Sequence, residues 1–155
     1  MTKTKIKEIV CNSINQRNLC RMYFRYDVNY RYYFPLVSTD KLFLGTEEDD
    51  FILNGFSIRR FMDVKKVQIK DDKCVEILKR EGVENSIQTP NIDITNWETV
   101  FKSLQKLNRN IIVEKESLNE KEWEFIIGRI VRVFKKFIYV NHFDANGVWQ
   151  EEPYC

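Results

Sequence analysis

Glu47, Glu48, Asp49 and Asp50 stand in one unbroken run, and side chains of that type and spacing suit two kinds of chemistry. Crowded carboxylates can coordinate calcium, or they can complement a basic surface. A calcium loop spaces its oxygen ligands around a central glycine, and EEDD does not. The expectation is therefore a solvated acidic loop whose reach is toward a basic partner. His142 is the single histidine, and neither a serine nor a cysteine in a nucleophile motif accompanies it. Cys11, Cys20, Cys74 and Cys155 lie at irregular spacings without a CxxC pair, which argues against a redox motif or a zinc cluster and for reduced, mostly buried thiols. No pair of carboxylates is marked for acid–base work. These residues predict no catalytic site, no metal and no cofactor, and the chain is read as non-enzymatic.

A second pattern interleaves cations with rings. Arg21, Arg25, Arg31, Arg59, Arg60, Arg129, Arg132, Lys135 and Lys136 alternate with Tyr and Phe on segments that read as strands. Bases stack on aromatic rings while cations follow phosphates, so this is the composition of a single-stranded nucleic-acid platform. It is equally the composition of a small sheet with a polar outer face. In YRYYF, alternation puts Tyr30, Tyr32 and Phe34 on one side and Arg31 with Tyr33 on the other. The first side is assigned to the core, and Tyr33 beside Arg31 to a protein interface, where Tyr and Arg are enriched.

Elements must position these residues. Ile6, Ile9, Val10 and Ile14 recur at helical spacing, LCRMYFRY alternates as a strand, and YRYYFPLVS continues as a second whose Pro35 argues for an edge or a bulge. LFLGT, FSIRRF and DVKKVQI complete five short strands, with a turn expected at Asn54-Gly55. Nothing between them is long enough for a crossover helix, so the sheet is antiparallel. DDKCVEILKREGV is charged and stopped like a helix, and ENSIQTPNIDI reads as a linker. TNWETVFKSLQKLN has Thr95 and Glu98 at capping-box spacing ahead of an apolar stripe. NIIVEKE, WEFIIGRIVRV and FIYVNHF follow as strands, Gly128 permitting a bend in the long middle one, and VWQEEPYC begins another after the Asn146-Gly147 turn.

Helix, strand, long strand, strand, NG turn and strand thus occur twice in the same order. The fold expected is α+β, mainly β: two tandem small antiparallel β-barrels, each preceded by a helix. Residues 1–70 hold the first helix and barrel, 71–94 a helix and linker, and 95–155 the second helix and strands, a barrel left incomplete at Cys155. A further strand is expected there, so either the chain is shortened or the edge, a liability when unpaired, is filled by another part of the chain, a partner or a second molecule. Self-association through such an edge is one expectation. The 25 Lys and Arg against 23 Asp and Glu leave a net charge of +2, too weak a field to steer nucleic acid or an anionic membrane. No apolar stretch approaches a membrane span and the start has no secretory core, so a cytoplasmic protein with no membrane contact is expected.

The helix-plus-five-strand order resembles the Sm-like small-barrel fold. DDFILNGFSIRRFMDVKKV and WEFIIGRIVRVFKKFIYVNHFDANGVWQEEPY look like a family of uncharacterised bacterial proteins, common in Firmicutes, built from two such units. In those relatives a further strand follows EEPY, whereas this chain has Cys155. The Sm resemblance implies RNA binding through an Arg-Gly step, but Arg59-Arg60-Phe61 stands in the comparable neighbourhood here. Two functions fit these patterns. The preferred one is a protein-binding module, in its most concrete form an immunity-type protein that neutralises a bacterial toxin, with contacts at Glu47, Glu48, Asp49, Asp50, Tyr33 and Trp149. The alternative is an Sm-like RNA-binding protein using Arg31, Arg59, Arg60, Arg129 and Arg132.

Overall fold

Thr2 starts the first helix, its hydroxyl accepting from the Lys5 amide at 3.3 Å, and Arg17 ends it in the left-handed region at φ 52°. Between them runs α1 (Lys3–Gln16), which buries Ile6, Val10 and Ser13. The structure, a computed structural model, describes residues 1–119 and 122–155. It is α+β and mainly β, and divides into two compact units, Met1–Pro90 and Asn91–Cys155.

In the first unit, β1 (Cys20–Phe24), β2 (Tyr30–Ser38), β3 (Leu42–Asp49), β4 (Ile52–Arg60) and β5 (Val64–Ile69) form one antiparallel sheet in the order β4-β3-β2-β1-β5. The sheet is open, with β4 and β5 as its edges. Strict alternation in β1 sends Cys20, Met22 and Phe24 inward, where they join Ile6, Val10, Tyr33, Phe43, Phe61, Val64 and Val67. Burial of each large side chain contributes roughly 1.5–3 kcal/mol, so this cluster is the main support of the unit. Two further helices, α2 (Lys73–Arg80) and α3 (Val83–Ser86), follow β5, and α2 is capped by Asp72. Val75 and Leu78 of α2 are buried with Leu19 and Phe34, with Tyr32, Leu36 and Leu53 partly buried around them. Both faces of the sheet are thus covered in part.

Three expectations are corrected by this unit. Tyr33 is fully buried in the inner cluster, and Tyr30 and Tyr32 occupy the other face. Alternation separates the two sides of YRYYF but does not say which is inward, and the register of Tyr33 against Cys20 decides it. EEDD is not a loop, because Glu47, Glu48 and Asp49 lie within β3. The hairpin turns on Asp50 and Phe51, at φ 47° and 66°, and the Phe51 amide donates to Glu48 Oε1 at 2.7 Å. Two positive φ values are what a two-residue hairpin turn requires. Gly55, at φ 79°, lies inside β4 opposite a register shift between Thr46 and Glu48, so Asn54-Gly55 makes a bulge. Pro35 sits in central β2 beside another register shift, so of the edge and the bulge it is the bulge.

The second unit begins with α4 (Trp97–Leu107). Its capping box is Asn96 with Thr99, one residue on from the Thr95–Glu98 pair expected, because Glu98 instead bonds Lys102 at 2.6 Å. Then β6 (Ile111–Lys115), β7 (Glu124–Val133) and β8 (Ile138–His142) form an open antiparallel sheet in the order β6-β7-β8. α4 lies against β7, and Ile94, Val100, Ile130 and Val140 are buried. Gly128 is needed for close approach rather than a bend: a Cβ there would stand 2.8 Å from the Asn141 carbonyl carbon and from His142 Cα. The expected strand after Asn146-Gly147 is reduced to two isolated bridges, Phe143 with Trp149 and Val140 with Tyr154. Pro153 and the exposed Glu151 and Glu152 between these bridges interrupt the ladder. Among the described residues, no helix is long and apolar enough to cross a membrane.

Candidate functional site

Around the Asp50 turn, Asp27, Tyr30, Arg31, Tyr32, Glu47, Glu48 and Asp49 line an open cleft of about 510 Å³. Arg31 Nε donates to Asp27 Oδ2 at 2.9 Å and its Nη1 to Glu47 Oε1 at 3.2 Å. Burial works against the Arg31 charge, but the two carboxylates outweigh it and hold the guanidinium above its ordinary pKa. The Tyr33 hydroxyl reaches the same Glu47, at 3.3 Å, and Ser57 at 3.3 Å. Burial raises the Tyr33 pKa, so the phenol stays protonated and serves as a donor to Glu47. Of the four acids, Glu48 is 6% exposed and caps the turn, while Asp49 and Asp50 face solvent. The acidic run therefore spends Glu47 and Glu48 on internal structure and presents Asp49 and Asp50 outward.

The arginines read as nucleic-acid contacts divide between the two units, Arg31, Arg59 and Arg60 in the first and Arg129 and Arg132 in the second. Arg31 is answered by Asp27 and Glu47, and Arg60 by Asp63 at 2.6 Å. Arg59 lies over the Phe24 ring at 5.0 Å. Arg129, in the second unit, lies over Trp149 at 5.7 Å and donates to Asn110 at 2.9 Å. Arg132 is exposed on β7, opposite Tyr139.

What the structure does gather is a different set, on the outer face of β2, β1 and β5. Tyr30 pairs in register with Tyr23, and Tyr32 with Arg21; Lys66 and Gln68 continue the two rows on β5. Tyr23 and Tyr30 meet edge to face at 5.7 Å, and Tyr30 and Tyr32 lie 5.2 Å apart. The Arg21 guanidinium lies 4.6 Å from the Tyr30 ring centre and 5.5 Å from that of Tyr32, donating to the Tyr32 hydroxyl at 2.9 Å. That hydrogen bond raises the Arg21 pKa, and the Tyr32 hydroxyl likewise raises that of Tyr30. Lys66 stands over Tyr23 at 5.4 Å and Lys70 over Tyr32 at 4.2 Å. Lys70 is also drawn toward Asp72, at 3.7 Å, and its side chain is only 9% exposed. The alternation in YRYYF already separated Tyr30 and Tyr32 from Tyr33; only the choice of inner face hid them.

A third surface lies on the second unit. Register places Phe125, Ile127 and Arg129 of β7 on one face with Ile112 and Glu114 of β6 and Asn141 of β8. The bulge between Ile130 and Arg132 keeps Arg132 and Tyr139 on that face. Trp123 stacks on Phe125 at 5.8 Å, Phe134 on Phe137 at 4.7 Å, and Trp149 meets Phe143 edge to face at 5.0 Å. Ile130 and Val140, of opposite parity, are the buried ones, so α4 covers the other face. Trp149 was singled out in the sequence and the rings around it were not, because WEFIIGRIVRV has apolar residues on both sides. No family model, curated protein or solved structure matches the chain, so its functional reading rests on the geometry alone.

Proposed function

We propose that this is a non-enzymatic, cytoplasmic protein-binding module whose principal contact is the aromatic face of the second unit, including Trp149. One observation carries the reading. Trp123, Phe125, Phe134, Phe137 and Trp149 are each between 43% and 48% exposed, on a sheet face that no element among the described residues of the unit covers. Clustered half-exposed aromatic rings beside an arginine are what a protein interface buries, and scattered surface hydrophobics are not arranged this way. The open β6 edge beside Ile112 offers main-chain donors and acceptors to an added strand, from the partner or from a second copy. The exposed Asp49 and Asp50 add a basic-seeking contact on the first unit. An immunity-type protein that neutralises a bacterial toxin is the concrete version we favour, since it needs a binding face and no catalytic group.

The order β4-β3-β2-β1-β5 behind a leading helix supports reading the first unit as an Sm-like small barrel, and the order β6-β7-β8 repeats its β1-β2-β3 portion. Gentle purification of the tagged chain from its native cells tests the function. A stoichiometric partner that co-purifies with the wild type and is lost with Phe125→Ser and Trp149→Ser together agrees with the proposal. Retention of the partner by that variant refutes it.

A further inference from the structure

We infer that the outer face of β2, β1 and β5 in the first unit binds single-stranded nucleic acid, with Tyr30 and Tyr23 as stacking rings and Arg21 and Lys66 as phosphate contacts. This site is built from residues of the first unit alone and does not depend on the aromatic face of the second. Four observations carry it. Tyr30 is 43% exposed although it stands in the middle of a row of rings, so one edge or face of it remains for a ligand. Tyr23, Tyr30 and Tyr32 succeed one another at 5.7 and 5.2 Å, and bases splayed from a flexible single strand can stack along such a row. Arg21 lies over both the Tyr30 and Tyr32 rings and is fixed there by its hydrogen bond to the Tyr32 hydroxyl. Lys66, solvent-exposed over Tyr23, supplies a second cation on the next strand.

The cations differ in availability. Lys70 is shielded and shared with Asp72, so it orients Tyr32 rather than meeting solvent. Arg31 and Arg60 are spent on carboxylates. Two available cations predict a small footprint, with binding that weakens as salt rises by a slope of about −1.4 in log–log terms, at about −0.7 per phosphate contact on a single strand. Stacking is worth about 1–3 kcal/mol per base, so most of the affinity rests on the tyrosines. Rings read bases by their faces, which makes the site tolerant of sequence.

The full chain is titrated into fluorescently labelled oligo(dT) and oligo(U) ten-mers at about 25 mM salt, and anisotropy is read. Binding is expected, falling by at least about tenfold in Tyr30→Ala and in Tyr23→Ala, and flattening in salt dependence in Arg21→Gln with Lys66→Gln. Tyr30→Phe keeps the ring and is expected to retain binding, which separates stacking from loss of fold. Preference between the two oligomers reports whether DNA or RNA is the source. No binding at this salt overturns the inference, as does equal binding of an abasic oligomer, which would indicate charge without stacking. Loss of a protein partner, rather than of oligonucleotide, in Tyr30→Ala would also overturn it by assigning the surface to a protein. Wild-type oligonucleotide affinity in Phe125→Ser with Trp149→Ser is expected, and keeps this site's failure distinct from that of the aromatic face.

Discussion

Replacing Gly128 by alanine should disable the second unit while sparing the first. A Cβ at this position points into β8, 2.8 Å from the Asn141 carbonyl carbon and from His142 Cα and nearer still to the Asn141 oxygen. Real Cβ atoms essentially never approach backbone so closely, and no side chain stands between to rotate away. The strand itself must move, which breaks the register of Gly128 against His142 and Arg129 against Asn141. Overpacking against yielding side chains costs about 1–3 kcal/mol, so a backbone clash of this kind belongs at the upper end, about 3 kcal/mol. All three tryptophans, Trp97, Trp123 and Trp149, lie after residue 90, so tryptophan fluorescence reports the second unit alone. With a urea m-value of about 1 kcal/mol/M for so small a unit, the fluorescence midpoint is expected to drop by about 2–3 M or to vanish. Protection of the buried Cys20 thiol reports the first unit and should be unchanged. Gly45→Ala is the comparison: its Cβ would meet Phe34 O at 3.0 Å, a contact that a few tenths of an ångström relieve. A Gly128→Ala protein whose fluorescence midpoint stays within about 0.5 M of wild type would refute the close approach.

Phe51→Gly should stabilise the first unit by about 1 kcal/mol, because Phe51 holds φ 66° at an exposed hairpin turn and left-handed backbone costs a non-glycine residue about that much; urea titration of the variant checks it. Of the four cysteines Cys20 is buried, Cys74 half-buried and Cys11 and Cys155 exposed, against the mostly buried thiols expected from the sequence, so at pH 8 a thiol reagent should modify Cys11 and Cys155 quickly and Cys20 only on unfolding, since burial pushes the Cys20 pKa up to about 11. That raised pKa also predicts a stability contribution intact below about pH 9 and lost as pH rises toward 11, which Cys20→Ala should abolish. Hydrogen bonds from Thr95 lower the Asp93 pKa, and those from Lys102 and Lys7 lower Glu98 and Asp40. Their contribution is present above about pH 4 and lost as pH falls through the lowered values. The loss should shrink in high salt for the two ion pairs; tryptophan fluorescence between pH 5 and 2 follows the Glu98 and Asp93 shares, Asp93→Asn removing its own, and far-ultraviolet circular dichroism follows the Asp40 share in the first unit.

In the first unit β1 was legible from its two-residue alternation, and the other strands from short apolar or aromatic runs bounded by turn residues. Which face is inward was not legible for YRYYF. Tyr33 fits the core because Cys20 and Phe43 flank it in space, information that register supplies and composition does not. The hairpin was misplaced because Asn54-Gly55 is the stronger local turn signal, yet the pairing of Glu48 with Leu53 puts the turn on Asp50 and Phe51. In the second unit, β7 has apolar residues on both sides, so its sequence marks a strand without revealing that Trp123 and Phe125 stay uncovered. Trp149 and Gln150 do have a neighbour. The Gln150 amide donates to His142 O at 2.9 Å, so the side of β8 beside the tail is partly paired and the bare edge is that of β6.

Protection of the aromatic face on partner binding is the most direct test. Hydrogen exchange would be compared for the free chain and for the complex recovered from native cells. A partner seated on the aromatic face predicts slowed exchange confined chiefly to β6, β7 and the segment around Trp149. Protection centred instead on the first unit, with β6 and β7 unchanged, would contradict it.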